Sequence, residues 1–233
     1  MSPVLVWRPV EPWLAISSAP LGGGLGPRHW VINATVPAGY GRLDPDAHLA
    51  ELAGGLGLTG PGVGLLTAVD VRDVVHRTDG DVEVAVTTGI GGHPTWAAAA
   101  YEPGTVNAVC WLPVRLSDAA LVNAIATVAE AKAQAFWDAG VPGTGTATDA
   151  TVLLCPPGGV AESFGGPRSL FGSALARAVH SAVLAGLLTS AEHPSVVGNR
   201  QRPHDVKGNA RRADMREVAV MRADVLPSAE AQE

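Results

Sequence analysis

Along this chain the spacing of apolar positions changes from the short, dense runs of strands to the longer period of helices. Residues 13–17 (WLAIS) and 29–36 (HWVINATV) are apolar and rich in β-branched or aromatic side chains, and PLGGGLGP lies between them. They read as strands separated by a turn-forming segment. Residues 43–58 (LDPDAHLAELAGGLGL) switch to a helical pattern, with Asp44 as N-cap, Pro45 at the first helical position and Gly54-Gly55 as the stop. Within 62–90, two valine-rich runs flank Asp79-Gly80, a strong hairpin signal. Residues 105–114 (TVNAVCWLPV) are apolar enough for a strand at the centre of a sheet.

The clearest helix covers 118–139 (DAALVNAIATVAEAKAQAFWDA), with Ser117 as N-cap, Asp118 at the positive end of the dipole, and Gly140 and Pro142 as the stop. A Gly/Thr loop then runs into an apolar strand, GTGTATDATVLLC at 143–155, and a second helix spans about 167–188. Beyond residue 190 the sequence turns polar and charged without a sustained period. It reads as a flexible tail, 191–233, with a nascent helix around 210–225. The expected fold is therefore one layered α/β (or α+β) domain over 1–190. Its N-terminal two-thirds are strand-rich, and a mixed sheet of about six to eight strands is covered by the 118–139 and 167–188 helices.

Composition, charge and run lengths sharpen this picture. Apolar residues make up 47% of the chain and charged ones 16%, so the core should be large and an interface between copies is open. A net charge of −6 argues against sequence-independent binding of nucleic acid, which needs clustered Lys and Arg to displace counterions. No uninterrupted apolar run approaches bilayer-spanning length, and the first residues lack the basic start and unbroken apolar core of a secretory signal. Cys110 and Cys155 each lie in apolar strand-like segments, as buried thiols do in a reducing cytoplasm.

Lys132 breaks the pattern of its helix. A helical wheel puts Leu121, Val122, Ile125, Val128, Ala129 and Phe136 on one face with Lys132 in its middle, and Glu130 opposite with Asn123, Thr127 and Gln134. Lysine is almost never fully buried without a partner. Its stem could pack while the ammonium reaches water, it could join a structural ion pair, or it could serve a site. Asp149, in the loop after the helix, is the candidate partner. Around it, Gly143 and Gly145 allow close approach of a ligand, successive N–H groups can form an anion nest or oxyanion hole, and Thr144, Thr146 and Thr148 offer hydroxyls. The same loop also reads as a capped turn in which Asp149 satisfies local N–H groups. Ser17-Ser18 follow a strand and face the same two readings. No Gly-Lys-Ser/Thr or dinucleotide fingerprint is present, and the seven histidines form no metal-type pair, so no metal or cofactor is expected.

Taken in order, ISSAPLGGGLGPRHWVINATV, GLLTAVDV, VAVTTGIGGHP, VNAVCWLPVRLSDAALVNAIATVAEAKAQAF and GTGTATDATVLLC resemble the adenosylcobinamide amidohydrolase (CbiZ) family over roughly 13–188. AEAKAQA and GTGTATDATV are the most specific pieces. The resemblance implies hydrolysis of the amide of adenosylcobinamide to adenosylcobyric acid and 1-amino-2-propanol, with the corrinoid as substrate and not cofactor, in cytoplasmic corrinoid salvage. Residue chemistry then puts Lys132, Asp149 and Glu130 forward for proton handling, and Ser17, Ser18, Asn33, Thr88, Asn107, Thr144, Gly145 and Thr146 for substrate binding. Two alternatives stay open: a corrinoid-binding protein without turnover, and an amidase of another amide with a loop threonine as nucleophile.

Overall fold

The computed structural model describes residues 2–91, 104–192 and 218–223. Its ten described strands form two sheets. The first joins β1 (Ser2–Trp7), β4 (Trp30–Thr35), β5 (Gly62–Thr67) and β10 (Val218–Ala223) in the order β10-β1-β4-β5. The second joins β2 (Trp13–Ser17), β3 (Gly24–Arg28), β6 (Val75–Asp79), β7 (Val82–Gly89), β8 (Thr105–Trp111) and β9 (Ala150–Cys155) in the order β3-β2-β9-β8-β7-β6. β4–β5 and β8–β9 are parallel pairs and the others antiparallel, so both sheets are mixed. The helices are α1 (Pro45–Gly55), α2 (Asp118–Asp138) and α3 (Leu170–Glu192).

The α/β class expected from sequence holds, but the strands divide between two sheets instead of forming one. Alternation along the strands shows why. Val4, Val6, Trp30, Ile32 and Ala34 face α1, where Leu49, Leu52 and Ala53 cover them. Leu5, Trp7, Val31, Val63 and Leu65 face the other way, onto Ala85, Val109, Trp111, Val152 and Leu154 of the second sheet. The far side of that second sheet packs on α2 and α3 through Val84, Val86, Ala108, Cys110, Leu121, Val128, Phe136, Leu175 and Val179. The layers thus run helix, sheet, sheet, helices, and every central strand is apolar on both faces. Trp7 and Trp111 meet between the sheets with ring centroids 5.6 Å apart.

Local signals behave mostly as expected. Asp79 pairs with Val82 across the hairpin, with Gly80 at a positive φ of 58°. The Ser117 side chain accepts from the Ala120 N–H at 3.2 Å and starts α2. Asp44 stands at the N-cap of α1 but makes no side-chain cap; its carboxylate is taken by Arg42 instead. The wheel for α2 also needs correction. Val122 is 62% exposed and Ala129 is exposed, whereas Thr127 is buried and donates to the Gly165 carbonyl at 2.9 Å. The 163–167 segment packs on a flank of α2 that helical periodicity alone assigns to water, and Gly165 fits there because an added Cβ would meet Ala124.

The tail differs from expectation, whereas α3 is the helix expected over about 167–188. Where residues of the stretch 210–225 are described, they form the strand β10, paired antiparallel with β1 from Ser2↔Ala223 to Trp7↔Val218. The outer edge of β1 offers unpaired backbone groups, and β-branched Val218 and Val220 suit a strand. α3 holds Leu170–Thr189, long and apolar enough to cross a bilayer, but half of it is buried, and Leu175, Val179 and Val183 belong to the core under β7 and α2.

Strand register gathers the polar positions at one end of the sandwich. β2 ends at Ser17 opposite Val152, β9 begins at Ala150 beside Asn107, β8 begins at Thr105 opposite Gly89 where β7 ends, and β4 and β5 end at Thr35 and Thr67.

Candidate active site

The end of the sandwich where β9 begins is built around Asp149. One carboxylate oxygen, Oδ1, accepts from the Val106 N–H on β8 at 2.8 Å and from the Thr146 hydroxyl. The other, Oδ2, accepts from the Thr146 N–H at 3.0 Å and from the Lys132 ammonium on α2. The Lys132 and Asp149 side chains are 18% and 14% exposed, so the pair sits just under the surface with a route to water. Lys132 is therefore neither a free snorkelling side chain nor a deeply buried charge. α2 delivers it two turns before its C-terminal end, and the loop after the helix returns the carboxylate to the same face.

Gly145 makes this closeness possible. A Cβ built there would run into Asp149 Oδ2 and lie 2.6 Å from Lys132 Nζ and 3.0 Å from its Cε, so the main chain rests directly on the ion pair. Thr146 is buried, with both its N–H and its hydroxyl spent on Asp149. The loop thus turns one backbone N–H and one hydroxyl, both of Thr146, onto Asp149 itself. Thr144 and Thr148 are exposed. Thr148 donates to the Gly104 carbonyl at 2.8 Å, and its oxygen lies 2.5 Å from that of Thr105. Glu130 is exposed on the opposite side of α2 and is not brought to the pair.

The remaining sequence candidates fall into separate groups. Ser17 and Ser18 cap the crossing from β2: Ser17 Oγ accepts from the Ala19 N–H at 3.0 Å, and Ser18 Oγ accepts from the Thr151 N–H at 3.1 Å. Asn33 and Asn107 meet between the sheets. Asn107 Nδ2 donates to Asn33 Oδ1 at 3.0 Å and to the Leu66 carbonyl at 2.8 Å, and Asn33 Nδ2 donates to Thr87 Oγ1 at 3.0 Å. Thr88 points the other way, toward α3, where its hydroxyl is buried without a hydrogen-bond partner among the described residues and an added Cβ on Gly186 would lie 2.5 Å from it. Residues 92–94, the end of the family-like stretch VAVTTGIGGHP, lie outside the described residues.

Sequence reasoning did not single out Thr87, Thr105 or the Val106 N–H. The two-residue alternation of β7 assigns Thr87 to the inter-sheet side and Thr88 to the helices, so that signal was available. The Val106 N–H carries no side-chain signal and follows only from register. Among the described residues no group of three or more His, Cys, Asp or Glu could hold a metal ion. Cys110 and Cys155 are free and buried, and burial pushes both thiols up.

The family model described as adenosylcobinamide amidohydrolase matches residues 1–195. The adenosylcobinamide amidohydrolase of Methanosarcina mazei is 30% identical over 179 residues, which span 73% of this chain and 88% of that protein. The adenosylcobinamide amidohydrolase of Halobacterium salinarum is 37% identical over 134 residues, 53% of this chain and 57% of that protein.

Proposed function

We infer, because the chain belongs to the adenosylcobinamide amidohydrolase family, that it is an amide-bond hydrolase acting on adenosylcobinamide. The products are adenosylcobyric acid and 1-amino-2-propanol, as expected for corrinoid salvage. The catalytic domain takes in residues 1–190, with β10 (Val218–Ala223) added to the edge of its first sheet, and two buried free thiols fit a reducing cytoplasm.

The observation that supports a site at the β9 end is the Lys132–Asp149 pair under the Gly/Thr loop. Asp149 accepts four hydrogen bonds, which fills its acceptor capacity and makes it a positioning residue instead of a general base. Lys132 is the catalytic residue. An ammonium has three hydrogens, and the one given to Asp149 leaves two for substrate. As water bonds to the carbonyl carbon, the ammonium stabilises the oxyanion. When the C–N bond breaks, its electron pair stays on nitrogen, which takes a proton from Lys132; the proton lost by the attacking water restores the ammonium.

Incubation of the purified protein with adenosylcobinamide, followed by chromatography and mass spectrometry, tests this reading. Adenosylcobyric acid should accumulate with an equal amount of 1-amino-2-propanol. Tight binding with full recovery of substrate would instead identify a corrinoid-binding protein.

A further inference from the structure

The Asn107 side chain stands one residue from the N–H that holds Asp149, and it is braced against the other sheet. It is 1% exposed, and its amide orientation is fixed because both atoms facing Nδ2, the Leu66 carbonyl and Asn33 Oδ1, are acceptors. Leu66 belongs to β5 and Asn33 to β4, so a single amide ties the start of β8 to two strands of the opposite layer. The preceding residue, Val106, donates its N–H to Asp149 Oδ1 at 2.8 Å, and Asp149 in turn holds Lys132. Asn107 Oδ1, however, is buried and has no hydrogen-bond partner among the described residues. A buried acceptor without a donor is a standing cost to the fold, and an apolar side chain bridging the sheets would avoid it.

We propose that Asn107, with Asn33 beneath it, is a positioning residue for the amide hydrolysis. It fixes the Val106 N–H against the neighbouring sheet and so sets where Asp149 holds the Lys132 ammonium. This rests on the reading of Lys132 given above. Asn107 touches no substrate in this role; it works through Val106 and Asp149. Its expected signature is a loss of rate without a loss of binding, because misplacing a catalytic group slows chemistry and leaves the rest of the substrate's contacts intact.

Asn107→Leu in the full chain, which keeps the side chain's approximate size and removes its hydrogen bonds, tests this in two independent arms. In the first, amide exchange by NMR should quicken at Val106 and Thr146 by roughly tenfold, with Val109 on the same strand unchanged. This arm holds whatever the substrate proves to be; equal protection at Val106 in both proteins would overturn the brace. In the second, kcat on adenosylcobinamide should fall by roughly tenfold or more with KM within about twofold. Combining Asn107→Leu with Thr146→Val, which loosens the same carboxylate, should be no slower than the slower single variant. A kcat unchanged in folded protein would reduce Asn107 to a sheet brace. A raised KM with kcat kept would mean substrate contact, and fully multiplicative losses would mean a route that bypasses Asp149. Absence of turnover in the unmodified protein would instead remove the assigned reaction and leave the exchange result standing.

Discussion

Replacing Asp149 by Asn reverses the logic of the whole loop at the cost of one atom. The carboxylate accepts from the Val106 N–H and Thr146 hydroxyl at Oδ1, and from the Thr146 N–H and Lys132 at Oδ2. An asparagine whose oxygen keeps the first two donors must turn its NH2 toward the other two, donor against donor, and leaves Lys132 without a counter-ion. A hydrogen bond to a charged group contributes about 1.5–3 kcal/mol, and a neutral one about 1 kcal/mol. Solvent reaches both side chains, 18% and 14% exposed, and offsets part of the loss. A destabilisation of about 2–3 kcal/mol follows, or a melting temperature lower by about 5–10 °C at this chain length. Lys132→Met leaves the carboxylate its three uncharged donors and should cost less, about 1–2 kcal/mol. The double variant should recover about 1 kcal/mol relative to the sum, because the introduced carboxamide then faces an apolar stem. Urea unfolding at 25 °C measures all four proteins, and turnover by the folded single variants should be lost far beyond what their unfolded fractions explain. Asp149→Asn within about 0.5 kcal/mol of the parent would refute this account of the loop.

Three further outcomes are expected. Gly145→Ala pushes a methyl group against Asp149 Oδ2 and Lys132, so kcat should fall by about 100-fold in protein that still melts cooperatively; full activity would disprove the tight packing over the pair. In native protein neither cysteine should react with a thiol reagent at pH 8, because both are buried and burial pushes their thiols up, and both should react in denaturant. Burial, with Arg42 adding to it, holds His48 below its ordinary value, beside the Tyr40 hydroxyl at 3.0 Å. The unfolded chain therefore binds this proton first as pH falls below about 6.5, so the contribution is present above that pH and is lost as pH drops toward the folded value. His48→Gln should flatten stability between pH 7 and 5, and an unchanged slope would contradict the assignment.

What the sequence revealed depended on how local each signal was. The Lys132–Asp149 pair was legible because a lysine in an apolar stripe demands a partner, and the helix stop at Gly140 returns the chain to the same face. The Asp79-Gly80 hairpin and the α2 cap were legible because their chemistry lies within a few residues. The division into two sheets was not. Residues 29–36 are apolar on both faces, which states that both are covered but not by what. β10 was hidden for the same reason: its partner, the edge of β1, lies at the other end of the chain. Thr127 looked solvent-facing because the 163–167 segment that buries it leaves no mark on the periodicity of α2. Asn33 and Asn107 stood out as polar positions in strands, yet only register shows that they face one another between the sheets, with Thr87, while Thr88 faces α3.

The central claim is that this chain breaks the amide of adenosylcobinamide with water. Incubating the protein with adenosylcobinamide in heavy-oxygen water and weighing both products tests it most directly. The account predicts one heavy oxygen in the new carboxyl group of adenosylcobyric acid and none in 1-amino-2-propanol. Recovery of intact substrate from folded protein, or label in the amino alcohol, would contradict it.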